Sequence, residues 1–230
     1  MKIEILGDAG AVARRAAAVL AAAARAAVAA RGRFVMAVSG GRTPWAMLRA
    51  LADENVPWPS VHVFQVDERI APAGDPDRNS TLVAESLLSR SPLPPPQLYA
   101  MPVESADLAA AAADYSRTLE RFAGSPPVVD LVHLGLGSDG HTASLVPGDP
   151  VLAVFDTNVA VTGAYTGRRR MTLTVPVLDR ARSVLWLVTG GEKAEMPQRL
   201  LSHDPTIPAG RVRFDNALVL SDRAAAGRAE

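Results

Sequence analysis

Short runs of apolar residues recur along the chain, and polar or glycine-rich segments follow most of them. Several runs are almost continuous in Val, Leu and Ile, which is typical of strands that are covered on both faces of a sheet. We predict strands at Lys2–Leu6, Phe34–Ser39, Val61–Val66, Val129–Gly135, Asn158–Thr162, Met171–Val175, Val184–Thr189 and Ala217–Leu220.

Segments with helical periodicity separate these runs. We predict helices at Ala9–Ala30, Pro44–Ala52, Ser80–Ser89, Glu104–Phe122 and Glu192–Leu201. This alternation is typical of βαβ units, so the predicted fold class is α/β: an open, mostly parallel sheet with helices on both faces, in one domain over residues 1–230. Ligands bind beyond the carboxyl ends of the strands in such sheets, so the residues that follow each strand are the candidates for chemistry.

The alanine-rich segment Ala9–Ala30 is apolar enough to raise the alternative of a membrane anchor or a signal. Arginines interrupt it, and its longest uncharged run is far shorter than the roughly 20 residues that a membrane span needs. Asp8 can cap a helix at its start, and Gly32 can end it. We therefore predict a helix packed on the core and, because no targeting signal is recognised, a cytoplasmic protein.

Charge and composition exclude several classes of partner and cofactor. The 24 basic and 24 acidic side chains balance, and the pI is near 6.9. This balance gives no basic surface for nucleic acid and no attraction to an anionic membrane. The chain has no cysteine, which excludes thiolate catalysis and cysteine-bound zinc or iron–sulfur sites. Lysine is rare: the two lysines are Lys2 and Lys193.

Ser39–Pro44, with the sequence SGGRTP, directly follows the second predicted strand. Gly40 and Gly41 let backbone N–H groups approach a ligand closely, and Thr43 can cap the helix that follows. A helix N-terminus behind a glycine turn is an anion site, most often for phosphate. The segment is not a P-loop, because no Gly-Lys-Ser/Thr follows. The alternative is a plain tight turn between a strand and a helix.

Asp67, Glu68 and Arg69 follow the third predicted strand. Two carboxylates and a guanidinium at the end of a buried strand are costly unless they are paired or used. Taken alone, the three residues favour an internal salt bridge at the edge of the sheet. The alternative is that they belong to a functional site.

Gly135–Thr142, with the sequence GLGSDGHT, follows another buried strand and contains two misleading patterns. Its glycines spell G-x-G-x-x-G, but the chain reaches Pro147 too soon for the helix that a dinucleotide site requires. Ser138 does not form a nucleophile elbow either, because G-x-S-x-G requires glycine where Leu136 stands. A nicotinamide site and a serine hydrolase are therefore both disfavoured.

His141, with Asp139 beside it, is the remaining candidate for chemistry in this loop. Histidine titrates near neutrality and is the usual general base, so we favour a functional role for His141 over a structural one. His62 and His133 lie within apolar strands and are predicted to be core side chains, whereas His203 lies in a loop. No histidine has metal-ligand spacing, so we predict no metal site.

Gly190–Lys193, with the sequence GGEK, forms a second glycine turn after a predicted strand. The compact ammonium of Lys193 can serve as a point charge on a phosphate. Arg168–Arg170 lead into a further strand and supply more cations. The alternative for Lys193 is that a surface lysine falls here by chance.

Together, these segments resemble the glucosamine-6-phosphate deaminase/6-phosphogluconolactonase family, in the superfamily that includes ribose-5-phosphate isomerase. The resemblance is carried by Ser39–Pro44 (SGGRTP), Val66–Arg69 (VDER), Asn79, Gly135–Pro147 (GLGSDGHTASLVP), Arg170–Pro176 (RMTLTVP) and Gly190–Ala194 (GGEKA). These segments occur in the family's order and span most of the chain. The resemblance implies a three-layer, Rossmann-like α/β/α sandwich. It also implies hydrolysis of 6-phospho-D-glucono-1,5-lactone to 6-phospho-D-gluconate in the pentose phosphate pathway, with no metal and no organic cofactor.

The resemblance also implies roles for individual residues. His141 would be the base for the water that attacks the lactone, and Asp139 and Asp67 would orient His141 or the sugar hydroxyls. The substrate-binding residues that it implies are Ser39, Gly40, Gly41, Arg42, Thr43, Arg69, Gly140, Arg170 and Lys193. Within this set, the first glycine turn, Arg170 and Lys193 would meet the phosphate.

Two alternatives to a lactonase remain. A deaminase–isomerase of the superfamily carries a glutamate where this chain has Val146, and it tends to have an aromatic residue where Arg69 follows Asp-Glu. Both departures favour the lactonase, and the charge of Arg69 makes it our candidate for stabilising an oxyanion. A non-catalytic sugar-phosphate sensor commonly carries a DNA-binding domain, and the sequence shows no basic helix-turn-helix.

The expected partner is a phosphorylated sugar lactone, bound by a monomer or a homodimer, with no nucleic acid and no membrane.

Overall fold

The computed structural model describes residues 1–213 and 215–227. The strands within these residues are β1 Lys2–Leu6, β2 Phe34–Val38, β3 Val61–Gln65, β4 Asp67–Arg69, β5 Leu98–Tyr99, β6 Leu131–Gly135, β7 Val159–Val161, β8 Arg170–Leu173, β9 Val184–Val188 and β10 Ala217–Asp222. The α-helices are α1 Ala9–Arg31, α2 Arg42–Ala52, α3 Asn79–Val83, α4 Leu108–Ala123, α5 Val175–Arg180 and α6 Met196–Leu201.

Seven strands form a parallel sheet in the order β1-β10-β9-β6-β2-β3-β5. The central strands are buried almost throughout, as their near-continuous apolar sequences predict. From β2 the strand order runs outward through β3 to β5, and from β6 it runs the opposite way through β9. A crevice therefore opens between the carboxyl ends of β2 and β6, which is where open α/β sheets bind their ligands.

Helices cover both faces of this sheet. On one face, Leu20 of α1 and Leu48 of α2 pack in one apolar cluster with Met36 of β2. On the other face, Leu119 of α4 packs in a second cluster with Val132 of β6. The three-layer α/β/α arrangement confirms the predicted fold class.

The alanine-rich helix α1 begins and ends where its capping residues predict. Asp8 accepts a hydrogen bond of 2.7 Å from the backbone N–H of Ala11. Gly32 ends the helix in the left-handed region, with φ of 73°. Among the described residues, no helix is both long enough and apolar enough to cross a bilayer.

A second, three-stranded sheet is antiparallel, in the order β4-β8-β7. The sequence predicts Asn158–Thr162 and Met171–Val175 as strands of the mostly parallel sheet, but the strands observed there are shorter and belong to this separate sheet. The reason is the connection, because a short hairpin joins β7 to β8 and parallel neighbours need a crossover of about a dozen residues or more. Asp67–Arg69, which was predicted to follow a strand, is itself the short strand β4.

Two predicted helices start later than expected. The segment Glu192–Leu201 forms a 3₁₀ turn at Gly191–Lys193 and then α6. Pro197 explains the break, because proline lacks an N–H and favours the first turn of a new helix. The helix predicted at Glu104–Phe122 begins after Asp107, whose side chain caps α4.

Three other elements differ from the prediction in a smaller way. The helix predicted at Ser80–Ser89 is α3 continued by a π-helical segment, Ala84–Leu88. The sequence does not predict β5, which has only two residues beside a Pro-rich stretch. It does not predict α5 either, because the start of this helix was assigned to the end of a strand.

Candidate active site

A cleft of about 360 Å³ opens at the carboxyl ends of β2, β6 and β9, and residues of β4 and β8 complete its wall. Eight of the residues predicted from sequence line this cleft: Ser39, Gly40, Gly41, Asp67, Arg69, His141, Arg170 and Lys193. The structure thus brings together residues that are far apart in the chain, as the shared end of a parallel sheet predicts.

The remaining predicted residues lie beside the cleft: Arg42, Thr43, Asp139 and Gly140. Asp139 stands behind His141 and is hydrogen-bonded to it. The prediction that Thr43 caps α2 is wrong, because this helix starts after Gly41 without a side-chain cap. The hydroxyl of Thr43 instead lies 2.6 Å from that of Thr189, just after β9.

His141 and Asp139 form the pair that the loop after β6 predicts. Nδ1 of His141 lies 2.5 Å from Oδ1 of Asp139, and the hydroxyl of Tyr165 donates to Oδ2 at 2.9 Å. Burial opposes ionisation of Asp139, but hydrogen bonds from His141 and Tyr165 and the charge of His141 outweigh it, so the pKa of Asp139 lies below its usual value. An ionised carboxylate at Nδ1 keeps a proton there, which leaves Nε2 of His141 to act as a base.

The glycines of this loop are required for space and backbone conformation. A Cβ at Gly137 would overlap the ring of His141. Gly140 has φ of 81°, and a Cβ there would overlap Ile207. The pattern that looks like a dinucleotide fingerprint therefore serves to pack the histidine loop.

Asp67 is held within the wall of the cleft. Oδ2 of Asp67 accepts a hydrogen bond of 2.6 Å from the hydroxyl of Ser144, and the Nδ2 of Asn79 lies 3.4 Å from Oδ1. Burial raises the pKa of Asp67, although the Ser144 hydrogen bond and the charge of Arg170 partly oppose this shift.

Glu68 serves the fold and does not line the cleft. Its side chain is fully buried and accepts hydrogen bonds from the backbone N–H groups of Asn79, at 2.8 Å, and Ser80, at 2.7 Å. Arg78 approaches it within 3.5 Å. The internal salt bridge that the three residues favoured is therefore found at Glu68, whereas Asp67 and Arg69 line the cleft.

Of the three consecutive arginines, Arg170 is the one that lines the cleft. Its side chain is buried, and its Nη2 donates to Thr166 at 3.2 Å. Nε of Arg170 has no hydrogen-bond partner within the described residues. Arg168 instead forms an ion pair with Asp75 at 3.1 Å, and Arg169 donates to a backbone carbonyl.

Lys193 is half-buried and also lines the cleft. Burial lowers the pKa of its ammonium, and the charge of the nearby Arg42 lowers it further, whereas Glu192 and Asp222 raise it. The carboxylate of Asp222 accepts from the backbone N–H of Gly190 at 3.1 and 3.2 Å, which fixes the glycine turn before Lys193.

The first glycine turn contributes Ser39, Gly40 and Gly41 to the wall of the cleft. The backbone N–H of Ser39 donates to Nδ1 of the buried His133 at 3.3 Å, and Gly41 has φ of 127°. A Cβ at Gly40 would overlap the side chain of Asn79. Because α2 lacks a side-chain cap, its first N–H groups are suited to an anion.

Comparisons with known proteins agree with this geometry. Over residues 7–220, the sequence matches the family model described as glucosamine-6-phosphate isomerases/6-phosphogluconolactonase. The 6-phosphogluconolactonase of Synechocystis sp. is 42% identical, over 73% of this chain and 71% of that protein. The 6-phosphogluconolactonase of Mycobacterium leprae is 34% identical, over 98% of this chain and 97% of that protein. The chain belongs to this family.

A solved structure from the glucosamine-6-phosphate isomerase/6-phosphogluconolactonase family has the same fold. The 6-phosphogluconolactonase of Thermotoga maritima superposes with a TM-score of 0.85 at 26% identity, and the match covers 96% of this chain and 98% of that chain. Val146, at the position where the resemblance places the glutamate of a deaminase–isomerase, is an apolar and buried side chain. This finding supports the preference for a lactonase within the family.

Among the residues that were not predicted as site residues, Asn79, Ser144 and Tyr165 contact the carboxylates of the candidate site. Asn79 appeared only as part of the resemblance, although its side chain lines the cleft. The sequence offers a reason to select Ser144, because it is a polar residue within the apolar segment Ala143–Val146. Tyr165 has none, since it lies in the connection between the short strands β7 and β8 and belongs to no motif.

The charge in the cleft comes from side chains. Arg69, Arg170 and Lys193 supply the cations, and Asp67 and Glu192 supply acidic groups. Among residues 1–213 and 215–227, no three His, Asp or Glu side chains come together in an arrangement that could hold a metal ion.

Proposed function

We propose that His141 is the general base with which this chain hydrolyses 6-phospho-D-glucono-1,5-lactone to 6-phospho-D-gluconate in the pentose phosphate pathway. The observation that carries the proposal is the contact of 2.5 Å between His141 and Asp139, at a cleft that also holds three cations. The hydrolase activity follows from the family, because the relatives at 42% and 34% identity are 6-phosphogluconolactonases.

The reaction needs a base for water and a proton donor for the ring oxygen. Nε2 of His141 takes a proton as the water oxygen bonds to C1 of the lactone. When the tetrahedral intermediate collapses, the bond from C1 to the ring oxygen breaks, and the imidazolium returns the proton to that oxygen. Asp139 stabilises the imidazolium between these two steps. General base catalysis raises a reaction rate by about 10²–10⁴-fold. This factor is enough for a lactone, because a lactone also hydrolyses in water without a catalyst.

The cations of the cleft supply binding and charge stabilisation in this proposal. Lys193, Arg170 and the N-terminus of α2 bind the phosphate, which is supported by their position on the cleft and by the missing side-chain cap. Arg69 stabilises the negative charge that develops on the carbonyl oxygen. Asp67, whose carboxylate is fixed by Ser144, orients the sugar hydroxyls.

An assay of the purified protein with two substrates side by side tests the reaction. We expect 6-phosphogluconolactone to be hydrolysed well above its spontaneous rate, and we expect no ammonia to be released from glucosamine 6-phosphate. Ammonia release without lactone hydrolysis would identify a deaminase instead.

Three further expectations accompany this proposal. Residues 1–230 act as one domain, which is supported by the apolar cluster that Leu134 of the large sheet shares with Met171 of the small one. The protein works in the cytoplasm, as a monomer or a homodimer. Limited proteolysis, cell fractionation and light scattering test these expectations in turn.

A further inference from the structure

Tyr165 contacts three groups of the candidate site, although it does not line the cleft. Its hydroxyl donates to Oδ2 of Asp139 at 2.9 Å and lies 3.4 Å from Nδ1 of His141. Its ring meets the ring of His141 edge-on, with 5.4 Å between centroids. The guanidinium of Arg170 lies over the same ring, 5.1 Å from its centroid. One side chain therefore touches both the catalytic pair and a proposed phosphate ligand.

The backbone holds Tyr165 in this position. Tyr165 and Arg168 exchange backbone hydrogen bonds of 3.0 and 3.3 Å across a tight turn. Thr166 and Gly167, the two central residues, have φ of 50° and 80°, as in the type I′ turns that match the twist of a hairpin. Arg168 fastens the hairpin to the neighbouring loop through an ion pair with Asp75.

The hydroxyl of Tyr165 occupies the oxygen of Asp139 that His141 does not use. The backbone and ring nitrogens of His141 both approach Oδ1, at 3.1 and 2.5 Å, and the phenol donates to Oδ2. With donors on both oxygens, the carboxylate cannot rotate freely about its bond to Cβ. Hydrogen bonds to charged groups are stronger than those between neutral groups. Loss of the bond from the Tyr165 hydroxyl therefore leaves the carboxylate of Asp139 free to rotate.

We propose that Tyr165 is a positioning residue for lactone hydrolysis: its hydroxyl orients Asp139 against His141, and its ring holds Arg170 at the phosphate end of the cleft. This inference rests on the proposed role of His141 as the base. The two parts of the Tyr165 side chain then have different effects: the hydroxyl affects kcat, and the face of the ring affects KM.

Two substitutions separate these functions. Tyr165→Phe keeps the ring and removes the hydroxyl, so kcat for 6-phosphogluconolactone falls roughly tenfold, a part of the 10²–10⁴-fold that a general base contributes, and KM stays within about twofold. Tyr165→Ala also removes the cation–π contact, so KM rises several-fold in addition. Tyr99→Phe is the matched control, because the hydroxyl of Tyr99 also bonds a histidine ring, that of His62 at 3.0 Å, away from the cleft.

A double-mutant cycle with Asp139→Asn shows whether Tyr165 acts through Asp139. If it does, Tyr165→Phe lowers kcat roughly tenfold in the wild-type background and less than about twofold in the Asp139→Asn background. A merely structural role would lower kcat by the same factor in both backgrounds, and that result would overturn the proposal.

The outcome for His141→Ala distinguishes this inference from the proposed function. Wild-type turnover in His141→Ala would overturn both proposals. A large loss in His141→Ala together with wild-type turnover in Tyr165→Phe would overturn the role of Tyr165 alone.

Discussion

The two lysines of this chain lie in different surroundings. Lys2 is exposed on the edge strand β1, whereas Lys193 is half-buried on the wall of the cleft. Burial and the charge of Arg42 lower the pKa of Lys193 and so disfavour its ammonium form. A bound phosphate would favour that form again, which is why we assign Lys193 to the phosphate and not to a chance position on the surface.

Lys193→Ala should weaken binding of the phosphorylated substrate. A hydrogen bond to a charged group is worth about 1.5–3 kcal/mol, so we expect KM for 6-phosphogluconolactone to rise roughly 10- to 100-fold. KM for unphosphorylated gluconolactone should not change. Lys2→Ala is the matched control and should behave as wild type. Equal effects of Lys193→Ala on both lactones would remove this residue from the phosphate site.

The short strand β4 illustrates how one element serves both the site and the fold. Successive side chains of a strand point to opposite faces, so Asp67 and Arg69 reach the cleft and Glu68 points away from it. The sequence shows three charged residues in a row after an apolar run. It does not show that they form a strand, because β4 is only three residues long and pairs with a segment about a hundred residues away.

Substitution of the two neighbouring acids should therefore give opposite results. Glu68→Gln places a donor against the first N–H groups of α3, so the free energy of unfolding should fall by about 2–4 kcal/mol. Burial raises the pKa of Asp67, which means that an ionised carboxylate is unfavourable at this position. Asp67→Asn removes that carboxylate, so the free energy of unfolding should stay within about 1 kcal/mol while kcat/KM falls. Urea unfolding and the lactone assay measure the two effects. A Glu68→Gln variant as stable as wild type would contradict this division of roles.

The large sheet, apart from its two-residue edge strand β5, could be predicted because its buried strands carry near-continuous apolar sequences. The small sheet could not, since β7 and β8 show the same apolar pattern, and their antiparallel pairing depends on a hairpin whose turn the pattern does not reveal. The cleft residues at strand ends were predicted because a parallel sheet brings those ends together. Tyr165 was missed because its place depends on the hairpin and not on a motif.

The buried His133 should make the stability of the whole chain depend on pH. Burial lowers its pKa to about 3, against 6.5 for a free histidine. As the pH falls from 6.5 toward 3, the unfolded chain binds a proton that the folded chain does not, so this group lowers the free energy of unfolding by up to about 1.4 kcal/mol per pH unit.

Urea unfolding of wild type and His133→Asn between pH 7 and pH 5 checks this expectation. The asparagine amide oxygen can still accept the hydrogen bond from the N–H of Ser39, but it does not titrate. The pH dependence should therefore be shallower in the variant. Equal slopes for the two proteins would contradict the assignment of His133 as a neutral core residue.

Turnover of His141→Ala decides whether this histidine activates the attacking water. The measurement is lactone hydrolysis by the folded variant after subtraction of the spontaneous rate, with His203→Asn, a substitution of an exposed histidine that does not line the cleft, as the matched control. We predict a fall in kcat of about 10²–10⁴-fold for His141→Ala and none for the control, because general base catalysis has that magnitude. Turnover by His141→Ala at the wild-type rate would contradict the claim that this histidine activates the water.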